Sequence, residues 1–286
     1  MNLWLVLAVN SITLGGLLFL LSAGFSLIFG LMRIPNLMHG SFFMLGAYLG
    51  ATLLARGVSF WPAALASAAA MAVLGGLIER FLLRRLAGQE LAQVLLTLGL
   101  SFVVADACLM LWTGDPIQPP TPSHLQGALV TGGLVFPLYR IAIVAIAVVI
   151  AVALWLLIER TRLGAMIRAG VDDAAMARVV GIRVSRLFTL VFCLGAALAA
   201  FAGVVGAPYL SIYPGLDAEM LPLALIVVIL GGVGSLFGTF VASFIVGFIY
   251  TFGIFLVPDL AYVVLFLPMV VVIAFKPNGL FGRGIA

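Results

Sequence analysis

Polar positions in this chain act as punctuation between long apolar runs. The runs are Leu5–Leu31, Leu37–Ala55, Phe60–Leu83, Leu91–Trp112, Leu138–Ile158, Leu187–Ala207, Glu219–Val233, Leu236–Val257 and Leu260–Phe275. Most are about 17–25 residues long, the length at which a helix crosses a roughly 30 Å hydrocarbon core. Membrane-barrel strands would alternate in and out with period two, whereas these runs are continuous. The pattern therefore predicts an all-α polytopic transmembrane bundle of eight to ten spans, some short or discontinuous. No composition shift divides it, so residues 1–286 read as one membrane domain. The first run is long enough to bend, Glu219–Val233 is short, and only Pro258 and Asp259 separate the last two.

Composition excludes a water-soluble fold. Hydrophobic residues make up 65% of the chain and charged residues 8%, against about 25% charged in soluble domains. Mean hydropathy is +1.32. A surface so poor in charge faces lipid, where helices satisfy their own backbone. The formal charge of +4 would suggest nucleic acid in a soluble protein. Here the basic residues sit at helix ends, and no nucleic-acid partner is expected. All 14 Lys and Arg except Arg56 and Arg140 fall in one alternate set of loops. Cytoplasmic loops retain Lys and Arg, so that set is cytoplasmic, and nine spans put the N-terminus outside and the C-terminus inside. Cys108 and Cys193 lie within apolar runs and read as packing residues, not a disulfide or a metal pair. The first run lacks a basic lead-in and a small-residue cleavage pattern, so it is expected to be retained as a span. No metal or cofactor site is expected.

Two loops stand out. The external segment Thr113–Pro137 carries Asp115-Pro116, Pro119-Pro120 and Thr121-Pro122, which forbid helix. The cytoplasmic segment Glu159–Arg186 shows a helix pattern from Asp172 onward. Asp172 and Asp173 can cap it, Met176, Val179 and Val180 share a face, and Gly181 supplies a stop. Such a helix either lies on the bilayer surface or docks its apolar face into a groove on a partner.

Several intramembrane positions carry candidate chemistry. Pro35, Asn36, His39 and Gly40 sit where the second span begins, suiting a discontinuous helix whose polar end lines a cavity, or a capping Asn and an interfacial His. Gly231, Gly232, Gly234 and Gly238 permit close helix packing or an unwound turn. Asp106 lies inside a span, where a carboxylate is costly and is read as functional: a site for a substrate ammonium, or a hydrated residue near the headgroups. Asp217 and Glu219 are expected to be solvated at the outer mouth. Glu79 and Glu90 are expected to pair locally near Arg80. Enzymatic chemistry fails on inventory: His39 and His124 lie on opposite sides, and no nucleophile–base pair or paired carboxylates come within reach. No Gly-x-x-x-x-Gly-Lys-Ser/Thr pattern occurs, and the one lysine is Lys276, so any ATP hydrolysis belongs to another subunit.

Three segments together carry a resemblance. Arg168-Ala-Gly-Val-Asp-Asp-Ala-Ala-Met-Ala-Arg-Val-Val-Gly-Ile182 resembles the coupling loop of ABC importer permeases. Gly30-Leu-Met-Arg-Ile-Pro-Asn-Leu-Met-His-Gly-Ser-Phe-Phe-Met-Leu-Gly-Ala-Tyr48 is similar to the N-terminal signature of the branched-chain amino acid (LivH-type) permeases. Leu230-Gly-Gly-Val-Gly-Ser-Leu-Phe-Gly-Thr239 is similar to their glycine-rich C-terminal signature. The similarity runs in order over nearly the whole chain. It implies a permease in a bacterial cytoplasmic (inner) membrane that imports a small amino acid, most plausibly branched-chain, by alternating access. It implies two ATPase subunits, a second permease subunit (identical or different) and an extracytoplasmic binding protein as partners. Arg168, Asp172, Asp173, Ala177, Arg178, Gly181 and Ile182 would contact the ATPase. Asn36, His39, Gly40, Asp106, Gly231, Gly232 and Gly234 would serve the path or its gate. Asp106 departs from the uncharged amides the family tends to carry near this position, which bears on substrate identity. The same role with urea, amides or sugars is an alternative cargo. A secondary transporter or channel is a further alternative, but ion coupling calls for several intramembrane charges and only Asp106 qualifies.

Overall fold

The computed structural model describes residues 3–32, 36–131 and 134–282. Arg33, Pro35 and Arg283, which entered the reading above, lie outside the described residues. Nine apolar helices occupy the nine runs: α1 (Leu3–Met32), α2 (His39–Ala55), α3 (Phe60–Phe81), α4 (Glu90–Trp112), α5 (Leu138–Arg160), α8 (Val184–Leu210), α9 (Leu216–Gly231), α10 (Leu236–Leu256) and α11 (Ala261–Phe275). The two short helices α6 (Arg162–Asp172) and α7 (Ala174–Val179) lie between α5 and α8. Among the described residues six helices are long and apolar enough to cross a membrane; α2 and Val263–Phe275 are apolar but shorter. The fold is a polytopic helical membrane protein.

Packing follows side-chain size. In α1, 89% of the most apolar window is buried, against 11% in α4, so α1 is the pole and α4 the periphery. α8 packs along α1, α2 and α3, and α10 packs along α1. The close approaches need glycine: a Cβ on Gly24 of α1 would meet Gly195 O of α8 at 2.7 Å. By contrast α4 rests on α2 and on the 3-10 turn Leu83–Leu86. Its outer end is fixed to α2 by the Tyr48–Trp112 ring stack at 5.0 Å and by Trp112 Nε1 donating to Thr52 Oγ1 at 2.7 Å.

The proline-rich segment after α4 contains no α-helix, but it is more ordered than its composition suggests. Ile117 pairs with Ile212 in an isolated antiparallel bridge. A short hairpin then joins β1 (Ala128–Thr131) to β2 (Leu134–Pro137) with Thr131 opposite Leu134. The sequence reading did not anticipate this hairpin.

Candidate functional site

The segment between α5 and α8 departs from the single helix expected from Asp172. It forms two helices broken at one residue. Thr161 caps α6 by accepting from Gly164 N at 3.1 Å. Gly164, Ile167 and Gly170 turn inward, while Arg168 donates to Ile158 O and pairs with Glu159 at 3.3 Å. Asp172 closes α6 and caps nothing. Asp173 is extended, and its Oδ1 accepts from Ala175 N at 2.8 Å and Met176 N at 2.9 Å. This satisfies two of the free amides that start α7. The first helix escaped the sequence reading because its arginines made it look like loop.

Along α7 the inward and outward residues divide cleanly. Ala177 is buried; Met176, Val179 and Val180 are 59%, 81% and 68% exposed. Arg178, Asp172, Asp173 and Gly181 are exposed, and Ile182 is half-buried. Gly181 adopts φ +88°, and Ile182 N donates to Ala177 O at 2.9 Å, so α7 is hydrogen-bonded to the residues that lead into α8. Of the residues the resemblance singles out, Ala177 thus anchors the segment while its neighbours face outward. A cavity of about 800 Å³ opens beside it, lined by Gly30, Trp155, Glu159, Arg168, Gly234 and Phe281 among others.

A second cluster gathers where α2 and α9 begin. Asn36 Oδ1 accepts from Met38 N at 3.2 Å, a turn that ends in the first residue of α2. The His39 ring is fully buried, with its Nε2–H donating to Leu21 O at 3.0 Å and its plane against Phe25 at 5.1 Å. Leu21 lies eleven residues before the end of α1, about 16 Å up the helix at roughly 1.5 Å per residue. α2 therefore starts well along α1 and not at its end.

Asp217 is buried, contrary to the sequence reading, while Glu219 is half-buried. Asp217 is 7% exposed and accepts from Ser41 Oγ at 2.9 Å. Glu219 accepts from the Tyr213 hydroxyl and from the Tyr250 hydroxyl, the latter at 3.2 Å. A serine stands where Asp217 was expected to keep water, and two tyrosines hold the half-buried Glu219. Gly40 makes this possible: a Cβ there would meet Asp217 O at 2.5 Å. The first turns of α2 and α9 therefore touch.

The glycine-rich segment serves as both turn and packing surface. Gly232 and Gly234 adopt φ +101° and +78° between α9 and α10, conformations open to glycine. Gly231 backs onto Gly238 so closely that a Cβ would meet its carbonyl carbon at 2.5 Å. The segment after α11 folds back over this turn: Leu280 N donates to Leu230 O at 2.8 Å and Phe281 N to Gly231 O at 3.1 Å. These bonds satisfy carbonyls that the end of α9 leaves free. The strap was not visible in the sequence as a contact, because nothing in its pattern names its partner.

Asp106 stands apart from all of this. It is exposed on the outer face of α4, six residues before Trp112 and so about 9 Å inside the helix end. Glu79 pairs with Arg84 at 2.8 Å and not with Arg80, whose guanidinium lies over the Phe81 ring. Among the described residues no three His, Cys, Asp or Glu side chains come together as a metal site.

Comparison with known proteins gives the same direction. The family model described as "Branched-chain amino acid transport system / permease component" matches residues 7–273. The chain is 31% identical to the high-affinity branched-chain amino acid transport system permease protein BraD of Pseudomonas aeruginosa, over 96% of this chain and 94% of BraD. It is 27% identical to the permease protein LivH of Escherichia coli, over 96% and 94%. Among solved structures it is similar to a chain of PsaBC from Streptococcus pneumoniae in complex with Fab, with TM-score 0.48 and 12% identity over 93% of this chain and 89% of that one.

Proposed function

The chain belongs to the branched-chain amino acid transport system permease family, and from that premise we propose that it forms the bilayer path of an ATP-driven importer for branched-chain amino acids. It is a transport subunit and not an enzyme; the ATPase is a separate subunit. One observation carries the mechanism. Met176, Val179 and Val180 present an apolar face on a capped helix outside the packed bundle. That face, flanked by Asp172, Asp173, Arg178 and Gly181, is our docking surface for the ATPase, with Ala177 and Ile182 holding it in place. Arg168 supports it from α6 through Glu159.

In this reading the arginine-bearing loops and the C-terminus face the cytoplasm of a bacterial cell, and residues 113–137 face an extracytoplasmic binding protein. A second permease subunit, identical or different, completes the path. Asn36, His39 and Gly40 hold the start of α2, and Gly231, Gly232 and Gly234 hold the end of α9; we assign the gate to these two ends. Asp106 is assigned to the side facing the second permease subunit, because a carboxylate set that deep is costly against lipid.

The experiment is purification of the tagged protein with its candidate ATPase, followed by uptake in proteoliposomes containing the binding protein. Val179→Lys should leave the permease folded, because Val179 is 81% exposed. It should abolish ATPase association and leucine uptake together. If the unaltered protein never retains an ATPase, and the binding protein never stimulates ATP hydrolysis, the reading is wrong.

A further inference from the structure

Glu79 is a carboxylate at 1% exposure near the end of α3. Burying a carboxylate is unfavourable unless it is paired and hydrogen-bonded. Here it receives both. Arg84 Nε and Nη2 reach Glu79 Oε1 at 3.2 and 3.1 Å, and Nη2 reaches Oε2 at 2.8 Å. Thr189 Oγ1 on α8 donates to the same Oε2 at 2.7 Å and accepts from Arg84 Nη2. Arg84 Nη2 also reaches Ser185 O, in the first turn of α8, at 3.0 Å.

Stability does not account for this arrangement. A buried ion pair is often replaceable by apolar residues of like volume with no loss of stability. What apolar residues would not supply is the set of elements it joins. Arg84 belongs to the 3-10 turn Leu83–Leu86 between α3 and α4. Gln93 Nε2 of α4 grips that turn by donating to Leu86 O at 2.8 Å. On the other side, α8 follows α7 through a short link in which Ile182 N donates back to Ala177 O of α7 at 2.9 Å, and Leu187 N on Arg183 O at 3.2 Å then opens α8 itself. The first turn of α8 therefore moves with α7. Arg84 is the point where that movement meets the α3–α4 turn. Beyond the turn lies α4, which rests on that turn and on α2.

We propose that Arg84, seated on Glu79 and Thr189, is a positioning residue that passes displacement of the 174–183 segment to the α3–α4 turn and so ties ATP hydrolysis to movement of α4. The proposal rests on the ATPase-docking reading above, but its failure is separable from the failure of that reading. Arg84 touches neither substrate nor nucleotide. It acts through α8 and the turn.

The test uses the full complex in proteoliposomes with ATPase subunits and binding protein, measuring leucine uptake and ATP hydrolysis in one preparation. Arg84→Lys keeps the charge but loses the fork that bridges α3 and α8. Thr189→Val keeps the volume and the Glu79–Arg84 pair but removes the hydroxyl link. In both, binding-protein-stimulated ATP hydrolysis should stay within about twofold of the unaltered complex. Leucine transported per ATP should fall about tenfold, within the range typical of coupling between sites. The conservative Thr189→Ser should restore the ratio. An unchanged ratio in both variants overturns the proposal, as does a parallel loss of hydrolysis and uptake, which a merely structural role would give. If the unaltered complex itself transports nothing, the docking reading fails first.

Discussion

At the scale of single residues, the carboxylates carry the clearest lesson. Asp217 is buried against α2 with Ser41 Oγ as a donor at 2.9 Å. Removing that donor leaves a buried charged acceptor short of a partner, which costs about 1–3 kcal/mol. Ser41→Ala should therefore lower the melting temperature measured in detergent by several degrees. Asp217→Asn keeps an acceptor oxygen for Ser41, so it should cost less; an unchanged melting temperature in Ser41→Ala would show that the contact contributes nothing. Asp217 and Glu219 were read from sequence as solvated because a charged pair beside Gly215 looks like the lip of a span. The burial of Asp217 depends on α2 starting deep, and that depends on His39 reaching a carbonyl eleven residues inside α1. Long-range hydrogen bonds of this kind leave no periodic trace. Asn36 was more legible, because an Asn three residues before a helix start suits the turn it makes with Met38 N.

Elements were legible in proportion to how continuously apolar they are. The nine helices match the nine runs to within a few residues, since length and hydrophobicity suffice where lipid is the solvent. The amphipathic α6 was missed, because Arg162 and Arg168 break its apolar run and its inward face is largely Gly164, Ile167 and Gly170. The cap at Asp173 was half-legible: two adjacent aspartates offered themselves, and only backbone geometry chose between them. Asp173→Ala should weaken α7 by about 1 kcal/mol, while Asp172→Ala should leave it unchanged. Hydrogen exchange at Met176 and Ala177 would show this as faster exchange in the first variant only. The strap after α11 makes a second element-scale case. Gly279 has φ +78°, and a Cβ there would meet Gly232 Cα at 2.6 Å. Gly279→Ala should cost more than the roughly 1 kcal/mol usual for alanine at an unfavourable backbone conformation, measured as loss of thermal stability. A neutral result would mean that the strap does not hold the glycine turn.

For the molecule as a whole, the arginine asymmetry makes a direct topological prediction. Single cysteines in a background lacking Cys108 and Cys193 should report the two sides. A cysteine at Ser123 should react with an impermeant maleimide in intact cells, and one at Arg183 should react only after permeabilisation. The reverse pattern would invert the orientation. The packing hierarchy was not legible in the sequence, because α1 and α4 are both apolar throughout; one is the pole and the other the rim only because small residues on α1, α8 and α10 permit close approach. That hierarchy bears on how the protein is made. α1 precedes the helices that enclose it, α8 and α10, which are encoded some 150 to 240 residues later. It must wait in lipid without them. Its polar side chains allow this, since Ser11 donates to Leu7 O and Thr13 to Val9 O, each at 2.8 Å within the helix itself. The pole of the bundle is thus a segment that can be inserted ahead of α8 and α10, held with part of its surface uncovered, and enclosed only when synthesis reaches them.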